Sequence, residues 1–218
     1  MKNGMVTYHF SFSFSFTLFS FFISPFHLPF NLNIEKITQK DALRLSQLAK
    51  RCYAPHYAYL WYDGGNWYQE TMYAADVLAA EMTDENVVYF IASDGHEDFG
   101  YLKLKYDYPL SVGEGFSVGA GSGSEIDAPN ALYLDRIYLT ENAVGKGIGT
   151  KLVEMSVEIA KKLGKTAIWL AAMDSSRAVE MYQKMGFVTC GTWRLDFEKL
   201  RPDYRGMFLM VKKMDPSV

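Results

Sequence analysis

Residues 132–149 read LYLDRIYLTENAVGKGIG: an alternating apolar strand, a turn with three glycines, and the opening of a helix. Gly145, Gly147 and Gly149 carry no Cβ, so the backbone there can adopt positive φ or approach a ligand closely. Beyond the turn, Ile148, Leu152, Met155, Ile159 and Leu163 recur at helical spacing, with Lys151, Glu154, Glu158, Lys161 and Lys162 largely on the other side. The first amides of such a helix lack intrahelical acceptors, and its dipole is positive at that end. The turn is therefore suited to an anion, and Lys146 adds a positive charge to it.

Spacing narrows the anion. A nucleotide-hydrolase loop needs G-x-x-x-x-G-K-[ST], but here Lys146 is followed by Gly147. A dinucleotide fingerprint needs G-x-G-x-x-G and an acidic residue at the end of the next strand; the glycines here run G-x-G-x-G, and the next strand ends in LAAM. That strand is Thr166 to Ala171. Asp174 and Ser175 are placed to cap a short helix carrying Ala178, Tyr182 and Met185, and Gly186 suits its end. Phe187 to Arg194 and Gly206 to Lys213 complete the pattern as strands.

In this order and spacing the chain resembles the GNAT superfamily of acyl-CoA-dependent N-acyltransferases. The resemblance rests on LDRIYL-x5-GKGIG, then IWLAAM, then SSRAVEMYQKMGF. It implies an α/β fold with a central, mixed but mainly antiparallel sheet of about seven strands, flanked by about four helices. It implies acetyl-CoA as cosubstrate, held by Ile137, Tyr138 and Leu139 of the motif strand, by Gly145, Lys146, Gly147, Ile148, Gly149 and Thr150 of the turn, and by Ser175 and Tyr182. Val144 stands where the family usually has Gln or Arg, and Ser175 where it commonly has Asn, so backbone amides carry more of the contact. Among subgroups, the two motif strands look most like those of bacterial polyamine acetyltransferases.

The reaction so implied is direct attack of a primary amine on the thioester in a ternary complex. An alkylammonium with a pKa near about 10.4 must first lose a proton, the developing oxyanion needs donors, and the departing thiolate needs a proton. Tyr182 matches the family's general acid, and a phenol is protonated at neutral pH. The Tyr138 amide is the expected oxyanion donor. Asp135 is the nearest carboxylate for the base, with Asp196 and Glu198 as more distant ones. Polyamines and other small amines are the first expectation for the acceptor. A protein or peptide amino group is the second, and a CoA-binding regulatory module without catalysis the third. A homodimer is a further partner compatible with the resemblance.

Composition sets outer bounds. The chain has 218 residues, 49% of them hydrophobic, with a formal net charge of -3 and scattered basic residues. A nucleic-acid footprint is not indicated. Cys52 and Cys190 lie far apart and the four histidines form no cluster, so no metal and a reducing, cytoplasmic setting are expected.

Two stretches stand apart. Phe10 to Phe30, FSFSFSFTLFSFFISPFHLPF, lies in a Phe/Ser-rich segment of residues 1–32 placed outside the fold. It lacks the small-residue cleavage site of a secretory signal, and its serines and prolines interrupt an anchor. Translation from a start upstream of the natural one accounts for it best. The catalytic domain is placed at residues 33–214. Ile34 to Ile37 make its first strand, and Thr38 with Asp41 opens a helix whose apolar face is Leu43, Leu45, Leu48 and Ala49. Tyr53 to Tyr68, YAPHYAYLWYDGGNWY, gathers aromatics around Asp63 and suits a cationic amine. Glu70 to Met82 reads as a second helix. Val87 to Ser93 and Phe99 to Tyr106 read as a hairpin. The glycine- and serine-rich run from Pro109 to Asn130 reads as an extended connection.

Overall fold

The computed structural model describes residues 31–108, 116–118 and 130–214. The Phe/Ser-rich segment up to Phe30 and most of the run from Pro109 to Asn130 lie outside the described residues. Strand β1 (Asn33–Lys36) is followed by a 3-10 turn and helix α1 (Ala42–Tyr57), then α2 (Asn66–Met72) and α3 (Ala75–Glu81). Strands β2 (Val87–Ser93) and β3 (Asp98–Lys105) form the hairpin, β4 is the short Phe116–Val118, and β5 is Ala131–Leu139. Helix α4 (Ile148–Lys162), β6 (Ala167–Met173), α5 (Ala178–Lys184), β7 (Val188–Arg194) and β8 (Gly206–Lys213) complete the chain order.

Among the described residues, eight strands join one sheet in the order β1-β2-β3-β5-β6-β8-β7-β4. Only β5 and β6 run parallel; every other neighbouring pair is antiparallel. The mixed, mainly antiparallel sheet is as the sequence implies, with two refinements. β4 lies inside the stretch read as a connection and pairs with β7 at the sheet edge. The helix read from Glu70 to Met82 is two, because Ala74 is extended at φ -62 and ψ 142. Tyr73 is fully buried there, and its carbonyl accepts the Ser46 hydroxyl at 2.5 Å.

Alternation along the strands sends side chains to two faces. One face packs Leu102, Leu104, Leu132 and Leu134 against Ile148, Leu152 and Val153 of α4 and Val179 and Tyr182 of α5. The other packs Tyr89, Ile91 and Tyr101 against Leu45, Leu48, Cys52 and Tyr53 of α1 and Leu78 of α3. Each such large apolar side chain contributes roughly 1.5–3 kcal/mol relative to exposure. Ser156 sits on the buried face of α4 because its hydroxyl donates to the Leu152 carbonyl at 2.7 Å. At the other end of the spacing pattern, Leu43 and Leu163 are exposed. The Thr38 amide donates to Asp41 at 3.0 Å, the reach-back contact expected where the first helix opens. Leu32, just before β1, already packs against the first cluster.

Candidate active site

Strand β5 is where the sheet opens. Ala131 to Leu134 pair with Ala167 to Leu170 of β6, and the pairing stops there. Asp135 to Leu139 continue along β3 alone, while Ala171 to Met173 of β6 continue along β8. The cause is a β-bulge: Lys103 pairs with Arg136 and Leu104 with Leu134, so Asp135 is an extra residue with no partner across the ladder. The bulge puts Asp135 and Arg136 on the same face, and it bends β5 away from β6.

The fork leaves backbone groups of β5 facing the gap. Thr140 N–H donates to the Phe99 carbonyl at 2.8 Å, and Tyr106 N–H donates to the Asn86 carbonyl at 2.9 Å on the opposite side of β3. With Tyr101 opposite Tyr138, ladder alternation turns the Tyr138 N–H toward β3 and those of Ile137 and Leu139 toward the gap. The Tyr138 amide is therefore not the oxyanion donor expected from the sequence; the amides on either side of it face the opening.

Beyond β5 the chain makes a 3-10 turn at Glu141–Ala143 and enters the glycine turn. Gly147 caps α4 at φ 81, a left-handed conformation that glycine adopts without strain. The first helical bond runs from Lys151 N–H to the Gly147 carbonyl at 3.1 Å. The amides of Ile148, Gly149 and Thr150 thus lie ahead of the helical ladder, as an anion cradle requires. The Lys146 amide is instead turned to the Ala143 carbonyl at 3.4 Å. A Cβ on Gly149 would lie 3.6 Å from Leu139 Cδ1 and 3.7 Å from Met181 Sδ, so the turn, the end of β5 and α5 meet at one point. These groups fit the pantetheine and pyrophosphate of a CoA thioester: a strand edge whose amides face the gap, then a helix N-terminus.

A cavity of about 590 Å³ extends from the fork. Ile137, Ala178 and Tyr182 belong to its α4/α5 side, and Tyr53, Tyr57 and Tyr68 to its α1 side, so it crosses the sheet where β5 and β6 part. Tyr182 is 7% exposed and stands edge-on to Phe187 at 5.7 Å. Burial pushes its phenol above the ordinary value, aided by Tyr57, and keeps it protonated through the neutral range.

On the α1 side the rings form a cage. Tyr53 stacks on Tyr57 at 5.1 Å and on Tyr68 at 5.0 Å, Tyr57 meets Tyr138 edge-on at 5.2 Å, and Trp61 Nε1 donates to the Tyr53 hydroxyl at 2.7 Å. Of the aromatic run read from the sequence, Tyr53, Tyr57, Trp61 and Tyr68 line the cavity, but Asp63 does not. Its carboxylate accepts the Gly65 and Trp67 amides at 3.0 and 3.1 Å, starting α2, and pairs with Lys199 at 3.4 Å.

The cavity's carboxylates are Asp135 and Glu81. Asp135 pairs with Lys103 at 3.0 Å and Lys105 at 3.4 Å; Lys103 also pairs with Glu81 at 2.9 Å. The Tyr89 hydroxyl donates to Glu81 as well. Burial alone would raise the Asp135 carboxyl, but Lys103, Arg136 and Lys105 prevail and hold it below the usual range. A carboxylate so held is a weak proton acceptor. Asp196, 98% exposed and bonded to Arg205, and exposed Glu198 stand away from the cavity lining and are excluded as bases. Ser175 is exposed; its neighbour Ser176 lines the cavity, and its hydroxyl accepts the Ala178 amide at 3.1 Å to start α5.

Sequence reasoning missed Arg136, Lys103 and Glu81. A signal for the first exists: the apolar positions change phase from Leu132 and Leu134 to Ile137 and Leu139, and the shift falls on Asp135 and Arg136. Among the described residues no group of three or more His, Cys, Asp or Glu is placed to hold a metal, and no helix is long and apolar enough to cross a membrane.

The chain is similar to known proteins in sequence and in fold. An uncharacterized N-acetyltransferase from the pepI 3′ region of Lactobacillus delbrueckii subsp. lactis is 31% identical over 113 residues, which is 51% of this chain and 57% of that one. An uncharacterized N-acetyltransferase of Methanocaldococcus jannaschii is 26% identical over 132 residues, 51% of this chain and 58% of that one. The matched length is thus under two thirds of either relative. The fold is that of the PaiA N-acetyltransferase of Thermoplasma acidophilum, solved in complex with coenzyme A: TM-score 0.61 and 20% identity, over 84% of this chain and 99% of that one. The Escherichia coli ribosomal-protein-S18-alanine N-acetyltransferase gives TM-score 0.58 at 14% identity, over 85% and 95% of the two chains. The model of the acetyltransferase (GNAT) family matches residues 44–187, from within α1 to just past α5, and the chain belongs to that family.

Proposed function

We propose that the protein transfers the acetyl group of acetyl-CoA to a small primary amine. The observation that carries this reading is the cavity that crosses the sheet at the β5–β6 fork, with the glycine turn at one side and the aromatic cage at the other. Acetyl-CoA, when bound, supplies an activated acyl carbon. The amides of Ile148, Gly149 and Thr150 hold its pyrophosphate, and the edge of β5 holds the pantetheine arm. An amine reaches the acyl carbon from the α1 side, its ammonium form attracted by the faces of Tyr53, Tyr57 and Tyr68. The Ile137 or Leu139 amide steadies the negative charge that develops on the carbonyl oxygen. The nitrogen lone pair forms the new C–N bond, the C–S bond breaks, and the Tyr182 phenol gives its proton to the departing sulfur. The amine enters with its ammonium proton given up to solvent, and the further proton that the nitrogen sheds on becoming an amide restores the Tyr182 phenol, while Asp135, tied to two lysines, positions charge rather than accepting a proton.

Thiol release from acetyl-CoA across a panel of primary amines tests the reading. Turnover with at least one small amine is expected, and Tyr182→Phe should lower kcat by about a hundredfold with CoA affinity little changed. Coenzyme A binding without any thiol release, or equal losses in binding and turnover for Tyr182→Phe, would defeat it.

A further inference from the structure

Arg136 has no use in the chemistry above, yet it lines the cavity and is only 8% exposed. Its Nη1 has no hydrogen-bond partner among the described residues. Its guanidinium lies over the Tyr73 ring at 5.4 Å, and no carboxylate of the described residues is within salt-bridge distance of it. The two carboxylates nearby are already shared: Glu81 with Lys103, and Asp135 with Lys103 and Lys105. Three cations therefore face two anions on this wall. Asp135 attracts this guanidinium across space, but a buried guanidinium that meets no carboxylate in a hydrogen-bonded pair is costly, and its planar fork is shaped to take a carboxylate through two parallel bonds.

We propose that the amine acceptor carries a carboxylate and that Arg136 receives it, a proposal that rests on the acetyl-transfer reading. An amino acid or a similarly short amino-carboxylic acid would place its carboxylate on Arg136 and its nitrogen among Tyr57, Tyr138 and the fork. Arg136 and Tyr138 share one face of β5, two residues and roughly 7 Å apart along the strand. That span suits a nitrogen and a carboxylate separated by a few bonds. A diamine or polyamine would instead bring a second positive charge to a wall that already has one in excess, where like charges repel strongly in a low-dielectric setting.

Matched pairs that differ by the carboxylate decide it: ornithine against putrescine, lysine against cadaverine, and phenylalanine against phenethylamine, with thiol release from acetyl-CoA as the readout. The acid of at least one pair should show kcat/KM higher by on the order of thirtyfold. Arg136→Met should erase that preference through the acceptor KM while the acetyl-CoA KM stays within about twofold, and Arg136→Lys should restore part of it. Equal or better use of the decarboxylated amines, or a preference that survives Arg136→Met, overturns the proposal. A second measurement separates it from the reading beneath it: titration of the same amino acids into the CoA-saturated protein. If no amine is turned over, acetyl transfer fails as the function. Binding of the amino acids that is lost in Arg136→Met would still uphold the anion site, and absence of binding would overturn it.

Discussion

Asp135 and Arg136 are adjacent in the chain and on the same wall of the cavity, but among the described residues only Asp135 makes salt bridges. Asp135→Asn leaves Lys103 with Glu81 alone and Lys105 with no carboxylate among the described residues. The expected cost is about 3 kcal/mol or more, read as a lower urea midpoint. Its pH dependence has a definite sign. Lys103, Arg136 and Lys105 outweigh burial and lower the folded Asp135 carboxyl below its unfolded value of about 3.9. The stabilisation is thus complete above that value and is lost as the pH falls through the folded one. The melting temperature of Asp135→Asn should drop less than that of the wild type on going from about pH 6 to about pH 3; parallel acid slopes would assign the dependence to other groups. Arg136→Met should melt close to the wild type without ligand, because among the described residues its guanidinium makes no salt bridge and Asp135 attracts it only across space. A fall of several degrees would mean that the Tyr73 contact is a structural support.

Among the elements, α4 and its glycine turn carry the most specific expectation. Gly147→Glu puts a bulky anion where Ile148, Gly149 and Thr150 present their amides, on a residue whose φ of 81 disfavours any side chain. Coenzyme A affinity, measured by calorimetry on protein shown by circular dichroism to be folded, should fall by at least about tenfold; unchanged affinity would remove the turn from the phosphate site. This element was legible because glycines and helical periodicity are local properties of the chain. The break between α2 and α3 was not, since it depends on burying Tyr73 and on the Ser46 bond from another helix. The role of Asp63 was misread for a related reason. A carboxylate beside two glycines and a helix start has amides to accept before it can meet a ligand.

For the molecule as a whole, the two clusters on opposite faces of the sheet leave little room for adventitious thiol chemistry. Cys52 is wholly buried within α1, and burial pushes its thiol up to about 12; Cys190 is half-buried and also raised by burial. The native protein should therefore react slowly with a disulfide reagent at neutral pH and yield both thiols only in denaturant. Fast labelling of Cys52 in the native state would show that α1 lifts from β3. The glycine turn, α4 and the Tyr182 helix follow from motifs that lie close together in the sequence. The polar wall does not, because Glu81, Lys103 and Asp135 come from three distant segments, and only long-range pairing sets them side by side. The bulge at Asp135 makes this opening resemble a dislocation in a crystal. An extra unit in one row cannot be relaxed away by adjusting its neighbours; it disappears only if a unit is removed. Substitutions along the slot can therefore change which acceptor is read without closing it, whereas deletion of one residue would restore the ladder's count. The gap's persistence belongs to the number of residues in β5, and its chemistry to their identity.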